Sequence, residues 1–198
     1  LLLGAPQALF LLGEPAVAFK YYVAPSVLFI FGSVVIGMVF TKTGLTRRIA
    51  YKMLSIIGEK TSMIMLGCFV MTALLTHVMA HTAVAATMFP LLMAIYSLYT
   101  TEKTPTNFGK CLFMGMAYVA GAGSIVTLLG AARGAVALGF YKDMMNVDIS
   151  FGTLTYYMFP LGWLMVFLLW GFFMIFCKPE KARIVSLKEK ASRMYSEL

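Results

Sequence analysis

Two histidines four residues apart, His77 and His81, stand with Thr76 and Thr82 in T-H-V-M-A-H-T, a polar patch inside a long apolar stretch. Their i, i+4 spacing is that of a helical zinc pair. No acidic residue and no further His or Cys lies nearby to complete a ligand set, so the patch reads as a polar tip rather than a metal centre. A second group follows in G-A-G-S-I-V-T-L-L-G-A-A-R-G, residues 121–134, where Ser124, Thr127 and Arg133 stand among four glycines. Glycine costs about 1 kcal/mol against alanine inside a helix and frees the backbone for other conformations. Unwound carbonyls can then coordinate a cation, and the N-termini of half-helices can hold an anion. Close helix packing through small residues is the alternative; it accounts for Gly and Ala but not for Arg133.

What must position these residues is set by composition. Of 198 residues, 61% are hydrophobic and only 12% charged, and the mean hydropathy is +0.86. A soluble domain carries about 25% charged residues. No Asp, Glu, Lys or Arg occurs in residues 21–41, 61–101, 111–132 or 149–177. Since a spanning helix needs about 20 apolar residues, the fold class is all-α, integral to a membrane and multi-pass. The bilayer is thus the first partner. An arginine at membrane depth is costly and usually functional, which singles out Arg133.

The formal charge of +8 does not point to nucleic acid, because it is gathered in short segments between the apolar ones. Lys42, Arg47, Arg48, Lys52 and Lys60 form one cluster and Lys103 and Lys110 a second; Lys178, Lys181, Arg183, Lys188, Lys190 and Arg193 form a third. Such loops face the cytoplasm. Between the first two clusters, residues 61–76 reach only about 24 Å at 1.5 Å per residue, short of a hydrocarbon core of about 30 Å. A re-entrant helical hairpin over 61–101, with its tip at Thr76–Thr82, suits those lengths; two tilted short spans remain the alternative. Residues 44–58 carry Leu45, Ile49, Met53 and Ile56 at helical spacing opposite Arg47, Arg48, Lys52 and Ser55. That pattern predicts an interfacial amphipathic helix, or equally an ordinary loop helix. The remaining elements are a span at 21–41, a broken span at 108–141, a span at 149–177 and a cytoplasmic linker helix at 179–198.

Residues 1–13 are uncharged, without the basic flank of a signal peptide, and read as the end of a helix in a chain that is itself a fragment. Cys68, Cys111 and Cys177 lie in or beside apolar stretches and read as small buried hydrophobes without a disulfide. No phosphate-binding loop or nucleophile motif is present, and all eight acidic residues lie outside the apolar stretches. This sets an enzyme below a transporter. A membrane assembly subunit or membrane enzyme without transport activity is the alternative function, and it would need the tip and the glycine loop to be dry packing.

Taken together, these motifs resemble the divalent anion/sodium symporter family of dicarboxylate, citrate and sulfate transporters. G-L-T-R-R-I-A at 44–50 resembles its interfacial-helix motif, and A-H-T-A-V-A-A-T-M-F-P at 80–90 its S-N-T-A hairpin tip. G-S-I-V-T-L-L-G-A-A-R-G at 123–134 resembles its G-G-x-x-T-L-x-G-T-P-P-N loop, and residues 187–198 its inter-repeat linker. The resemblance implies an N-terminal scaffold-plus-hairpin repeat, a second inverted repeat outside this chain, a homodimer and a cell-membrane location. It implies ion binding by Thr76, Ala80, His81, Gly123, Ser124 and Thr127, and substrate binding by His81, Thr82, Gly130, Ala131 and Arg133. No cofactor is implied beyond a coupling ion, sodium or a proton. The chain departs from the motif where Ala80 and His81 replace serine and asparagine and where Arg133 replaces a proline. Imidazole is a poor ligand for a hard cation, which prefers oxygen; this counts against sodium at this half-site and leaves backbone carbonyls to contribute. Histidine titrates near neutral pH, which makes His81 a proton carrier in one reading and a structural anchor of the tip in the other.

Overall fold

The computed structural model describes residues 25–100 and 104–184, and among them every regular element is a helix. These are α1 Pro25–Lys42, α2 Leu45–Ile57, α3 Thr61–Thr76, α4 His81–Tyr99, α5 Asn107–Gly123, α6 Ala132–Met145 and α7 Phe151–Phe176. The run at 1–13, the first residues of the expected 21–41 span and residues 185–198 of the expected linker helix lie outside the described residues.

The helix at the centre is α3, with eleven of its sixteen residues buried against α5, α7 and α2. Its core residues Ile64, Met65, Phe69 and Ala73 are fully enclosed. Only Gly162, Val166 and Phe173 are buried along the 26 residues of α7. The rest of its surface is as apolar as its core face, with Phe167, Leu168, Ile175 and Phe176 exposed. A helix that is hydrophobic all round belongs in lipid, and 26 residues reach about 39 Å. By length and composition, α4 and α7 are the two described helices able to cross a membrane. The faces of α2 divide differently from the simple amphipathic pattern. Thr46 and Ala50 are buried and Met53 and Ile57 pack inward, whereas Leu45, Ile49 and Ile56 are exposed. The helix therefore docks on the core by one stripe and turns a second apolar stripe outward.

Both ends of the α3–α4 hairpin are tied at one place. Beyond α7 the chain runs extended over residues 178–184, where the start of a linker helix was expected. Thr61 N–H donates to Ala182 O (3.0 Å) and Ile184 N–H to Glu59 O (2.9 Å), an isolated antiparallel bridge around Lys60 and Arg183. Lys181 N–H donates to Tyr99 Oη (2.7 Å) and Lys181 Nζ to Tyr99 O (2.8 Å). Glu180 accepts from the Tyr99 hydroxyl (2.9 Å), from Asn107 N–H (2.6 Å) and from Phe108 N–H (3.4 Å). One carboxylate thus satisfies the first orphan amides of α5, where negative charge also meets the positive end of the helix.

Partial desolvation raises the Glu180 pKa. The N–H groups of Glu180 itself and Asn107, the Tyr99 hydroxyl and Phe108 N–H outweigh it and hold the carboxyl below the usual carboxylate range. A depressed carboxyl contributes stability in full above its unfolded-state value, about 4.3, and loses it as pH falls through the lower folded value. Glu180→Gln is expected to lower the melting temperature of the purified protein at pH 7, with the gap from wild type closing as pH is taken below about 4. A gap that stays constant with pH would show that the charge contributes nothing.

The three cysteines require a correction. Cys111 and Cys177 are joined as a disulfide with Cα atoms 6.3 Å apart, and only Cys68 is free and buried. The pairing follows from the antiparallel packing of α5 and α7, which brings the first turns of one beside the last turn of the other. Nothing in an odd number of cysteines on apolar segments reveals which two helix ends will meet.

Candidate ion and anion site at the hairpin tip

Thr76 ends α3, and His77, Val78 and Met79 still donate to the carbonyls of Leu74 and Leu75 before the chain reverses at an extended Ala80. The first amide of α4 has no acceptor within its own helix. It finds one on the glycine loop instead: His81 N–H donates to Gly130 O at 3.0 Å. The His81 ring joins it, with Nδ1 3.0 Å from the same oxygen. A carbonyl only accepts, so Nδ1 is the donor in this contact.

The loop between α5 and α6, residues 124–131, is held by its own hydroxyl. Thr127 Oγ1 donates to His77 O at 2.9 Å and accepts from Gly130 N–H at 3.3 Å. Gly130 lies so close to the hairpin that a Cβ there would stand 2.5 Å from Thr76 O and 2.7 Å from both Cα and O of Ser124. All three are main-chain atoms and cannot swing aside. An extended Ala131 then leads into α6. The N-termini of α4 and α6 therefore meet within two residues of one hydrogen bond, which brings their partial positive ends close together.

The hydroxyls are oriented alike. Thr76 Oγ1 donates to Ala73 O (2.6 Å), Ser124 Oγ to Gly121 O (2.7 Å) and Thr127 to His77 O. Each proton is spent on the main chain, which leaves lone pairs to face a cation. Thr127 also accepts from Gly130 N–H, and Ser124 differs in that the donor to its oxygen is charged, Arg133 Nη2 at 3.1 Å. A guanidinium on that oxygen opposes a sodium ion there.

The sequence-predicted residues thus fall into one neighbourhood with distinct placements. Thr76, Gly123, Ser124, Thr127, Gly130 and Ala131 are buried, His81 and Ala80 are half-buried, and Thr82 and Arg133 are exposed. Arg133, expected as an intramembrane charge, lies in the first turn of α6 with its side chain on the surface of this chain. His77 does not share a ligand site with His81. Its ring packs edge-to-face against Phe159 and Trp163 of α7, at centroid distances of 6.3 and 5.9 Å. The part of His77 that matters to the loop is its carbonyl, a role no side-chain pattern advertises. Ala80 and Thr82 also open onto a cavity of ≈ 420 Å³ whose far wall is α1, with Ser33, Gly37, Thr41 and Lys42. Sequence reasoning passed over that wall, although Ser33, Gly37 and Thr41 recur every four residues in an otherwise apolar helix.

An apolar all-helical domain with a helical hairpin docked on an interrupted helix belongs to the class of membrane transporter domains. The chain belongs to the family described as the sodium:sulfate symporter transmembrane region, whose sequence profile it matches over residues 13–198. It is 28% identical over 156 residues to an uncharacterized transporter of Haemophilus influenzae, covering 79% of this chain and 32% of that protein. It is likewise 28% identical over 133 residues to the sodium-dependent dicarboxylate transporter SdcS of Staphylococcus aureus, covering 63% of this chain and 26% of that one. The chain thus spans about a third or less of the length of these curated relatives. The family and these relatives are transporters, not enzymes.

Proposed function

We propose that the protein carries out secondary transport of a small divalent anion, a dicarboxylate or sulfate, coupled to sodium, with this chain supplying one half of the binding site. The observation that carries the reading is the convergence of the α4 and α6 N-termini at the His81–Gly130 contact. The first-turn amides of α4, the Thr82 hydroxyl and the N-terminus of α6 with Arg133 form the anion side. The carbonyls and hydroxyls of Thr76 and Thr127 form the cation side, with Ser124 given over to Arg133. His81 acts as an anchor, because its Nδ1 is committed to Gly130 O. The hairpin is re-entrant, with its base and the strap formed by residues 178–184 at the cytoplasmic face, where Lys60, Lys110, Lys178, Lys181 and Arg183 gather. A second inverted repeat and a second copy of the protein complete the transporter in the cell membrane.

Uptake of labelled succinate and sulfate into proteoliposomes of the full-length protein, with and without a sodium gradient, tests this. Absence of both fluxes under an inward sodium gradient ends the proposal. Arg133→Gln is expected to raise the KM for the anion about threefold to tenfold, about 0.7–1.4 kcal/mol of lost attraction, with little change in kcat. An unaltered KM would confine Arg133 to bracing Ser124.

A further inference from the structure

We infer that Cys111 and Cys177 form a redox-responsive pair, a modification site that oxidation closes and cellular thiols reopen. Their Cα separation of 6.3 Å lies within the range that a disulfide bridges without backbone movement, so both states fit one fold. Cys111 is buried in the second turn of α5, whereas Cys177 caps α7 and is only half-buried. Cys177 is therefore the sulfur that an oxidant reaches first. Lys110 precedes one cysteine and Lys178 follows the other, with Lys181 and Arg183 close behind. Basic segments of this kind lie on the cytoplasmic side, where glutathione and thioredoxin keep thiols reduced. Cys68, buried in α3, does not compete.

The oxidant is a peroxide. The Cys177 thiolate attacks one peroxide oxygen, the O–O bond breaks, and the departing hydroxide takes a proton and leaves as water. The Cys111 thiolate then attacks the sulfenic sulfur, the S–S bond forms, and a second water departs. Two thiols have given two electrons to hydrogen peroxide, yielding one disulfide and two waters. A glutathione-class thiol reverses the step by exchange. The mechanical effect is local. Residue 178 begins the strap that carries Glu180 to the N-terminus of α5, so the bond fastens the root of the strap to the helix it caps and closes a loop of 66 residues.

Cells expressing the full-length protein, alkylated before lysis with or without a brief peroxide pulse, are analysed by peptide mapping. Resting cells are expected to give separately alkylated Cys111 and Cys177. Peroxide is expected to give a linked pair that dithiothreitol removes, and peroxide-treated purified protein should melt higher than the reduced form. Cys177→Ala should abolish both changes. The inference is overturned by a pair already fully linked in resting cells, by no link after peroxide, or by a link from Cys177 to any other cysteine. None of these readouts depends on anion flux, so the outcome stands apart from the transport reading.

Discussion

Gly130→Ala is expected to reduce sodium-driven anion uptake by about 100-fold or more, the scale on which a misplacement of about 1 Å acts on a site of this kind. The added methyl would stand 2.5 Å from Thr76 O and 2.7 Å from main-chain atoms of Ser124. Relief requires the glycine loop to withdraw from the hairpin turn. That withdrawal breaks the double contact of His81 with Gly130 O and parts the two helix N-termini. The remote strap, the α3 core and the outward face of α7 are untouched, so the variant should insert and purify normally. Gly121→Ala is the matched control, since a Cβ there meets nothing within 4 Å and alanine is the better helix former. Uptake per mole of inserted protein for the two variants decides the matter. Similar activity in both would mean that the loop and the tip do not act as one site.

The second large effect is expected at Thr127. Thr127→Val keeps the shape but removes the hydroxyl that donates to His77 O and accepts from Gly130 N–H. A carbonyl left without its donor in a buried setting costs about 1–3 kcal/mol, and the hard-cation ligand proposed above is removed with it. The sodium concentration giving half-maximal uptake should rise roughly tenfold or more, whereas Thr127→Ser should stay near wild type. Sodium activation curves for the two variants measure this directly. If the valine variant keeps the wild-type sodium constant, Thr127 is only a brace for the loop.

How far the site could be read beforehand differs residue by residue. Ser124, Thr127 and Gly130 were visible because polar and glycine residues interrupt an apolar run, and such interruptions are costly unless the backbone has a use for them. The i, i+4 spacing does not bring His77 and His81 together, for a specific reason. It assumes one continuous helix, but the chain reverses between them at Ala80, which sends His77 to the α7 aromatics and His81 to the loop. The cavity wall on α1 and the strap at 178–184 were missed on different grounds. The first is a faint small-residue periodicity. The second depends on where the ends of α3, α4, α5 and α7 come to lie, and no local pattern encodes that.

Composition and hydropathy patterning alone made this a helical membrane protein, because solvation by lipid acts on every residue independently of its partners. Tertiary structure decided which groups meet: Gly130 O with His81, Thr127 with His77 O, Arg133 with Ser124, Cys111 with Cys177. Those pairings span nine to sixty-six residues. They depend on helix directions and packing depths, which are properties of the whole bundle rather than of any stretch of chain.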